Sequence, residues 1–393
     1  MTSSSTPHPT PPSSPSASND TGTSDSPDVA RDGICGIVLA GSHHWGNGSF
    51  EHVLRGPLLP VAQTPIICYP LGWLRAGGVR EVKICANSNT GAVRDLLGRG
   101  GALAMALDYY EDGTPRGPAG CARDAARLSE ADTFVVVEGA LIPSLDLRAL
   151  LRRHRESGAA VTVVVELDRR KRALGSENPR FPGGIYVVDR RVLHEVAPTG
   201  YHDIKEGLLE RLYVRGERVL MCEAQGITPR VLDYATYMSV SRWMIGRTVD
   251  HPDFLPEFVR EGQLLRHPSA RVDATAQVIG PVIVGRNAHV GEGAVIVGPT
   301  TVGTGSTVEA GVLLSRSVVW PSCLIGAGAI VDASFLGAGI TVRPGEHLFG
   351  ASKFAPEDAA LHVPPPDWEL PAASFPAVRS VERAASTEDR TRR

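Results

Sequence analysis

The sequence predicts two joined bodies of different class: an α/β domain built on a mostly parallel sheet, then a parallel β-helix of hexapeptide repeats. Two observations point there. Short apolar runs alternate with helical patterns from residue 31 to 240, and a six-residue repeat runs from 266 to 345. A third observation sets the ends apart. Of the first 30 residues, 20 are Ser, Thr or Pro, and such a segment buries too little apolar surface to offset its ordering entropy. The expected organisation is a disordered arm over 1–30, the α/β domain over 31–240 and a linker over 241–265. The β-helix follows over 266–348, then a Pro-rich, largely disordered tail over 349–393.

Residues 34–40 read as a strand followed by a Gly-rich loop. A helix over 66–76 and a strand over 81–86 come next. Further strands cover 133–138, 161–166 and 184–188, with helices over 145–156 and 202–214. Strands alternating with helices indicate a sheet covered on both faces. In such sheets ligands sit at the carboxyl ends of strands. The loops after Ala40 and Glu138 are therefore where chemistry is expected.

In the second body an aliphatic residue followed by Gly recurs. The pairs are Val284-Gly285, Val290-Gly291, Val297-Gly298 and Val302-Gly303, then Ile325-Gly326 and Leu336-Gly337. The first spacings are 6, 7 and 5 residues. A period of six puts one short strand on each face of a coil, apolar side chains inward and Gly at each corner. The open ends of a coil stack on a cap or a neighbour, so an oligomer is expected.

Composition narrows the function. The formal net charge is −3 with 21% charged residues, so no nucleic-acid partner is expected. No run of 18 apolar residues exists, so no membrane partner is expected either. The six Cys at 35, 68, 85, 121, 222 and 323 form no CxxC pair. A reduced, cytoplasmic location without structural zinc fits them. The start has no basic segment leading into an apolar one, so no secretory signal is read. Lysine is scarce: 4 Lys stand against 36 Arg, and the first is Lys83.

The motifs, in order, resemble the nucleotide-sugar pyrophosphorylases, or sugar-1-phosphate nucleotidyltransferases, a group that includes mannose-1-phosphate guanylyltransferases. Leu39-Ala40-Gly41 resembles their opening L-A-G-G. The run from Leu58 through Pro60-Val61 and Pro65 to Ile67 resembles L-x-P-V-x-x-x-P with two aliphatic residues. Pro115-Arg116-Gly117-Pro118-Ala119-Gly120 resembles the P-L-G-T-A-G segment that holds the base. Pro182-Gly183-Gly184-Ile185-Tyr186-Val187 resembles N-A-G-I-Y-V, and Asp203-Ile204-Lys205-Glu206 resembles a later acidic sequence. The resemblance covers roughly residues 33–345. It implies a Rossmann-like, GT-A-type mixed sheet followed by a left-handed coil. It implies nucleotide binding by Leu39, Ala40, Gly41, Pro115, Gly117, Pro118, Ala119 and Gly120, with Gly184 and Asp203 on the sugar side.

In that family a sugar phosphate attacks the α-phosphorus of a nucleoside triphosphate and pyrophosphate leaves. The site supplies positive charge through an Arg in G-T-R, a Lys in P-K-P, and Mg²⁺ held by two Asp. Counting from neighbouring anchors puts Gly46 at the Arg and Gly56 at the Lys. Ala140 falls at the first metal Asp, with Glu138 two residues upstream, and Arg230 at the second. The hairpin before Gly184 is short, and Asn178 stands where a sugar-phosphate Lys would be. These replacements predict a catalytically silent relative with no catalytic residue, no cofactor and no metal. It would bind a nucleotide or nucleotide sugar and pair with copies of itself or with an active pyrophosphorylase. Two alternatives stand beside it: an active nucleotidyltransferase with a rebuilt site, using Mg²⁺, and a hexapeptide acyltransferase.

Other candidates carry plainer readings. His43, His44 and His52 suggest a metal, against chance histidines in a solvated loop. Gly46-Asn47-Gly48 suggests an anion cradle, against a turn. Asn287 and His289 suggest the acyltransferase, against solvated repeat positions. Arg169-Arg170-Lys171-Arg172 reads as a solvated turn, and Asp203 with Lys205 as surface residues opening a helix.

Overall fold

The structure is a computed structural model that describes residues 33–41, 56–111, 113–167, 180–224 and 228–354. Several sequence expectations lie outside the described residues: the arm over 1–30, the tail from 355, and Gly46 with its neighbouring histidines. So do the Arg169-to-Arg172 run and Asn178.

Seven strands form the first sheet. They are β1 (Ile34–Leu39), β2 (Glu81–Cys85), β3 (Ala106–Tyr110), β4 (Thr133–Glu138), β5 (Val161–Leu167), β6 (Arg180–Asp189) and β7 (Val219–Glu223). Their order is β3-β2-β1-β4-β6-β5-β7. Strand β6 runs antiparallel to β4 and β5, and the remaining pairs are parallel. The sheet is mixed α/β, as the Rossmann-like reading requires.

Alternation along the strands builds two cores, because successive side chains point to opposite faces. Val135 and Val137 join one apolar cluster, Phe134 and Val136 the other. On the first face lie helices α1 (Cys68–Ala76), α2 (Thr90–Leu97) and α4 (Leu147–Ser157). On the second lie α3 (Gly117–Ala126) and α5 (Arg190–His194). Gly36 sits mid-sheet because a Cβ there would meet Leu74 Cδ1 at 2.9 Å, so α1 packs directly on the strand. Helix α4 shows why these residues are helical. Asp146 caps it by accepting from Arg148 N at 2.8 Å, and Leu147, Leu150, Leu151 and His154 form its buried stripe. Lys83, the first lysine, is buried between Asp108 at 2.5 Å and Glu81 at 3.0 Å.

The expected helix over 202–214 begins as a π-helical turn, Ile204–Leu209, and continues as α6, Glu210–Val214. Helix α7, Tyr234–Asp250, crosses residue 240, where a linker was expected to start. Asp233 and Thr236 close a reciprocal capping box at its start. Its buried face needs partners on both bodies. It packs on the small hairpin Pro60–Val61/Thr64–Pro65 and on the strands that follow.

From Leu264 onward the chain visits three parallel sheets in rotation, which is consistent with the expected β-helix. Successive rungs repeat every 18 residues, as Val295 pairs with Leu313, then every 17, as Leu313 pairs with Ile330. The step falls at one corner, where Thr301 pairs with Val318. Hydroxyls line that corner: Thr300 Oγ1 accepts from Ser317 N, Ser317 Oγ from Ser334 N, and Ser334 Oγ from Ala351 N. Each satisfies an amide that the turn leaves without a ladder partner. The repeated glycines answer to space. A Cβ on Gly303 would lie 2.3 Å from the Trp320 carbonyl carbon in the next rung.

Helix α7 joins the two bodies. The Tyr237 hydroxyl donates to Pro60 O at 2.8 Å and accepts from Trp320 Nε1 at 2.8 Å. Gln63 Nε2 donates to Val302 O at 3.1 Å.

Candidate functional site

A cavity of about 440 Å³ opens at the carboxyl ends of β1, β2 and β4. This is where the connection reverses across the sheet, the position open α/β sheets use for ligands. Backbone forms much of its inner wall. Leu39, Ala40 and Gly41 leave β1 between the ends of its two neighbours, with Ala40 N donating to Cys85 O at 2.7 Å and Gly139 N to Leu39 O at 2.8 Å. A Cβ on Gly41 would lie 2.9 Å from Asn87 Nδ2, so a side chain here would have to push the Asn87 amide aside. Gly56 and Pro57 line the opening beside them.

A charged cluster occupies the β4 side. Glu138 ends β4, and Ala140 follows it on the wall. Opposite, Arg230 is fixed by an antiparallel bridge to Leu141 and by Val231 N donating to Ala140 O at 2.9 Å. Arg230 Nε lies 3.2 Å from Glu138 Oε2. Arg230 Nη2 is buried with no hydrogen-bond partner among the described residues. Gly184, at φ +79°, faces this pair, and a Cβ on it would lie 2.7 Å from both Arg230 Nη2 and Glu138 Cδ. Glu166 of β5 approaches from behind. Burial pushes its carboxyl above the usual carboxylate range; Arg230 pulls it back and Glu138 adds to the rise.

The second wall comes from α3 and the turn before α6. Pro115, Gly117 and Pro118 line it. Gly117, at φ +73°, lets the segment dock: its added Cβ would sit 2.6 Å from His202 O, while His202 N donates to Arg116 O at 2.8 Å. That docking carries Asp203 and Lys205 onto the wall beside Tyr186 and Tyr201. Asp203 also caps its turn, accepting from Lys205 N at 2.6 Å. Burial raises the Tyr186 hydroxyl's pKa, so it stays protonated as a donor.

The structure therefore brings together Leu39, Ala40, Gly41, Gly56, Pro115, Gly117, Pro118, Ala140, Asp203 and Arg230. Gly184 stands behind the ion pair. Ala119 and Gly120 lie inside α3, with Ala119 fully buried, and do not reach the cavity. Lys205, read as a surface residue opening a helix, is exposed at the start of the π-helical turn and also lines the cavity, where the Gly117 docking holds that turn. The contact between Glu138 and Arg230 escaped the sequence reading, although both residues had been singled out. No local pattern announces a pairing across the sheet. His289 is exposed on the outer face of the coil, in register with Arg271 and Thr307.

The magnesium ion that the resemblance implies does not fit these residues. A methyl group and a guanidinium occupy the two expected ligand positions, and the adjacent carboxylate is engaged by that guanidinium. Among the described residues no group of three or more His, Cys, Asp or Glu is placed to hold a metal. Among them, too, no helix is long and apolar enough to cross a membrane.

Sheet order and cavity define an α/β protein with an open cavity at the switch point of a mostly parallel sheet. Residues 52–176 match the family model described as nucleotidyl transferase. The chain is 25% identical over 291 residues to a mannose-1-phosphate guanylyltransferase of Mycobacterium tuberculosis, covering 66% of this chain and 77% of that one. It is 24% identical over 384 residues to a UTP–glucose-1-phosphate uridylyltransferase of Synechocystis, covering 87% and 95%. It is 31% identical over 172 residues to a glucose-1-phosphate thymidylyltransferase of Mycolicibacterium smegmatis, covering 39% and 58%. Over these spans the chain is similar to the sugar-1-phosphate nucleotidyltransferases, and residues 52–176 carry their nucleotidyl transferase domain.

Proposed function

We propose that this chain binds a nucleotide or nucleotide sugar at the β1–β2–β4 cavity without carrying out the transfer. It serves as a sensing or regulatory subunit, assembled with copies of itself or with an active pyrophosphorylase. Its coil, read as a left-handed β-helix, is the assembly element. One observation carries the reading: Arg230, paired with Glu138, stands across from Ala140, where the family's chemistry calls for two metal-binding carboxylates.

The physical reason is charge. When the sugar-phosphate oxygen bonds to the α-phosphorus, the bond to the leaving pyrophosphate breaks and negative charge builds on the phosphates. Losing one group that stabilises such charge costs on the order of 10²–10³ in rate. Here Gly56 offers no cation in place of a lysine, and the metal positions hold Ala140 and Arg230. The wall that shapes a base and a sugar remains.

Pyrophosphate release with Mg²⁺, each common nucleoside triphosphate, and mannose or glucose 1-phosphate tests this. The expected result is no release above background, together with a thermal upshift by at least one matching nucleotide sugar. Release that depends on Ala140 and Arg230 would establish a rebuilt active enzyme instead.

A further inference from the structure

Among the described residues the cavity wall carries three cations and two anions. Arg116, Lys205 and Arg230 face it, as do Glu138 and Asp203. Arg116 itself lies 3.8 Å from Asp124, and Arg230 carries Glu138 as counter-ion with Glu166 close behind. A triphosphate entering here brings more charge than these groups neutralise, and among the described residues no group of three or more His, Cys, Asp or Glu is placed to hold a metal that would absorb the excess. A nucleoside diphosphate sugar brings less, because its terminal phosphate is esterified.

The ion pair is also only partly made. A guanidinium offers five N–H donors in a fixed fork. The contact with Glu138 is through Nε at 3.2 Å, and Nη2 is buried with no partner among the described residues. A buried guanidinium with an unused donor favours a second acceptor when one comes within reach. Nη2 now lies beside Gly184, so diphosphate oxygens become such acceptors when the guanidinium turns toward the cavity that Arg230 lines, and Glu138 is the group that opposes their charge.

We infer that the cavity takes a nucleoside diphosphate sugar in preference to a nucleoside triphosphate, and without a divalent metal. Arg230 supplies the fixed positive charge and Glu138 discriminates against the extra phosphate. This rests on the binding reading above and adds the ligand class and the residues that set it.

Calorimetric titration of the full chain decides it. The probes are GDP-mannose, UDP-glucose and dTDP-glucose, each against GTP, UTP or dTTP, in EDTA and then in Mg²⁺. The sugar that binds keeps its affinity in both buffers, and its triphosphate binds about tenfold more weakly or worse in EDTA. Glu138→Gln narrows that gap by tightening the triphosphate. Arg230→Ala weakens both ligands, and Arg230→Lys restores part of the loss. Equal or tighter triphosphate binding in EDTA, or sugar binding that requires Mg²⁺, overturns this inference and leaves the binding reading standing. No binding by any probe in either buffer overturns both. If a variant fails to fold, the wild-type comparison across the two buffers decides alone.

Discussion

At the scale of single residues, Gly184 is the most constrained position around the ion pair. Its backbone sits at φ +79°, and the space a side chain needs is filled by Arg230 Nη2 and Glu138 Cδ, both 2.7 Å away. Gly184→Ala therefore adds backbone strain and forces the pair apart. The expected cost is about 1–3 kcal/mol of stability, read as a lower urea midpoint, with weaker nucleotide-sugar binding. An unchanged midpoint and affinity would show that the pair does not depend on that space. Arg230 and Glu138 were each marked by the sequence. What the sequence lacked was their contact, since the bridge that sets it joins Leu141 to Arg230, far apart in the chain.

At the scale of elements, strands with apolar runs were legible because burial on both faces demands them. The first strand, β1, and the strand ending at Glu138, β4, fall where alternation and turn signals place them. Helix α7 was missed for a physical reason: its apolar residues face two bodies, so no single stripe stands out. The cap at Asp233 and Thr236 was the available signal. The junction that α7 makes has its own test. Tyr237→Phe removes the hydroxyl that links Pro60 O to Trp320 Nε1 and leaves that buried indole donor without it. Thermal unfolding should show a loss of about 1–3 kcal/mol. A variant as stable as the wild type would mean that this hydroxyl adds nothing to the apolar packing and the Gln63–Val302 hydrogen bond that also join the two bodies.

At the scale of the whole molecule, the mixed α/β sheet was legible, and the parallel strands from Leu264 onward are consistent with the expected coil. Period and strand order are long-range patterns that survive sequence drift. The composition of the wall was legible in part. Leu39-Ala40-Gly41 and Pro115-Arg116-Gly117-Pro118 lie at strand and helix ends, where local motifs dictate geometry. Lys205 reached the wall through the Gly117–His202 contact, which no local motif encodes. At this scale the proposal has one centre: the Arg230 guanidinium, paired with Glu138, takes the place of the metal ion that the resemblance implies.

Anomalous scattering from crystals soaked with manganese and a nucleoside triphosphate tests that centre most directly. The account predicts no manganese peak between Glu138, Ala140 and Arg230, and a guanidinium still turned toward Glu138 or toward phosphate. A manganese ion held there by Glu138, with Arg230 swung out of the cavity, would contradict it.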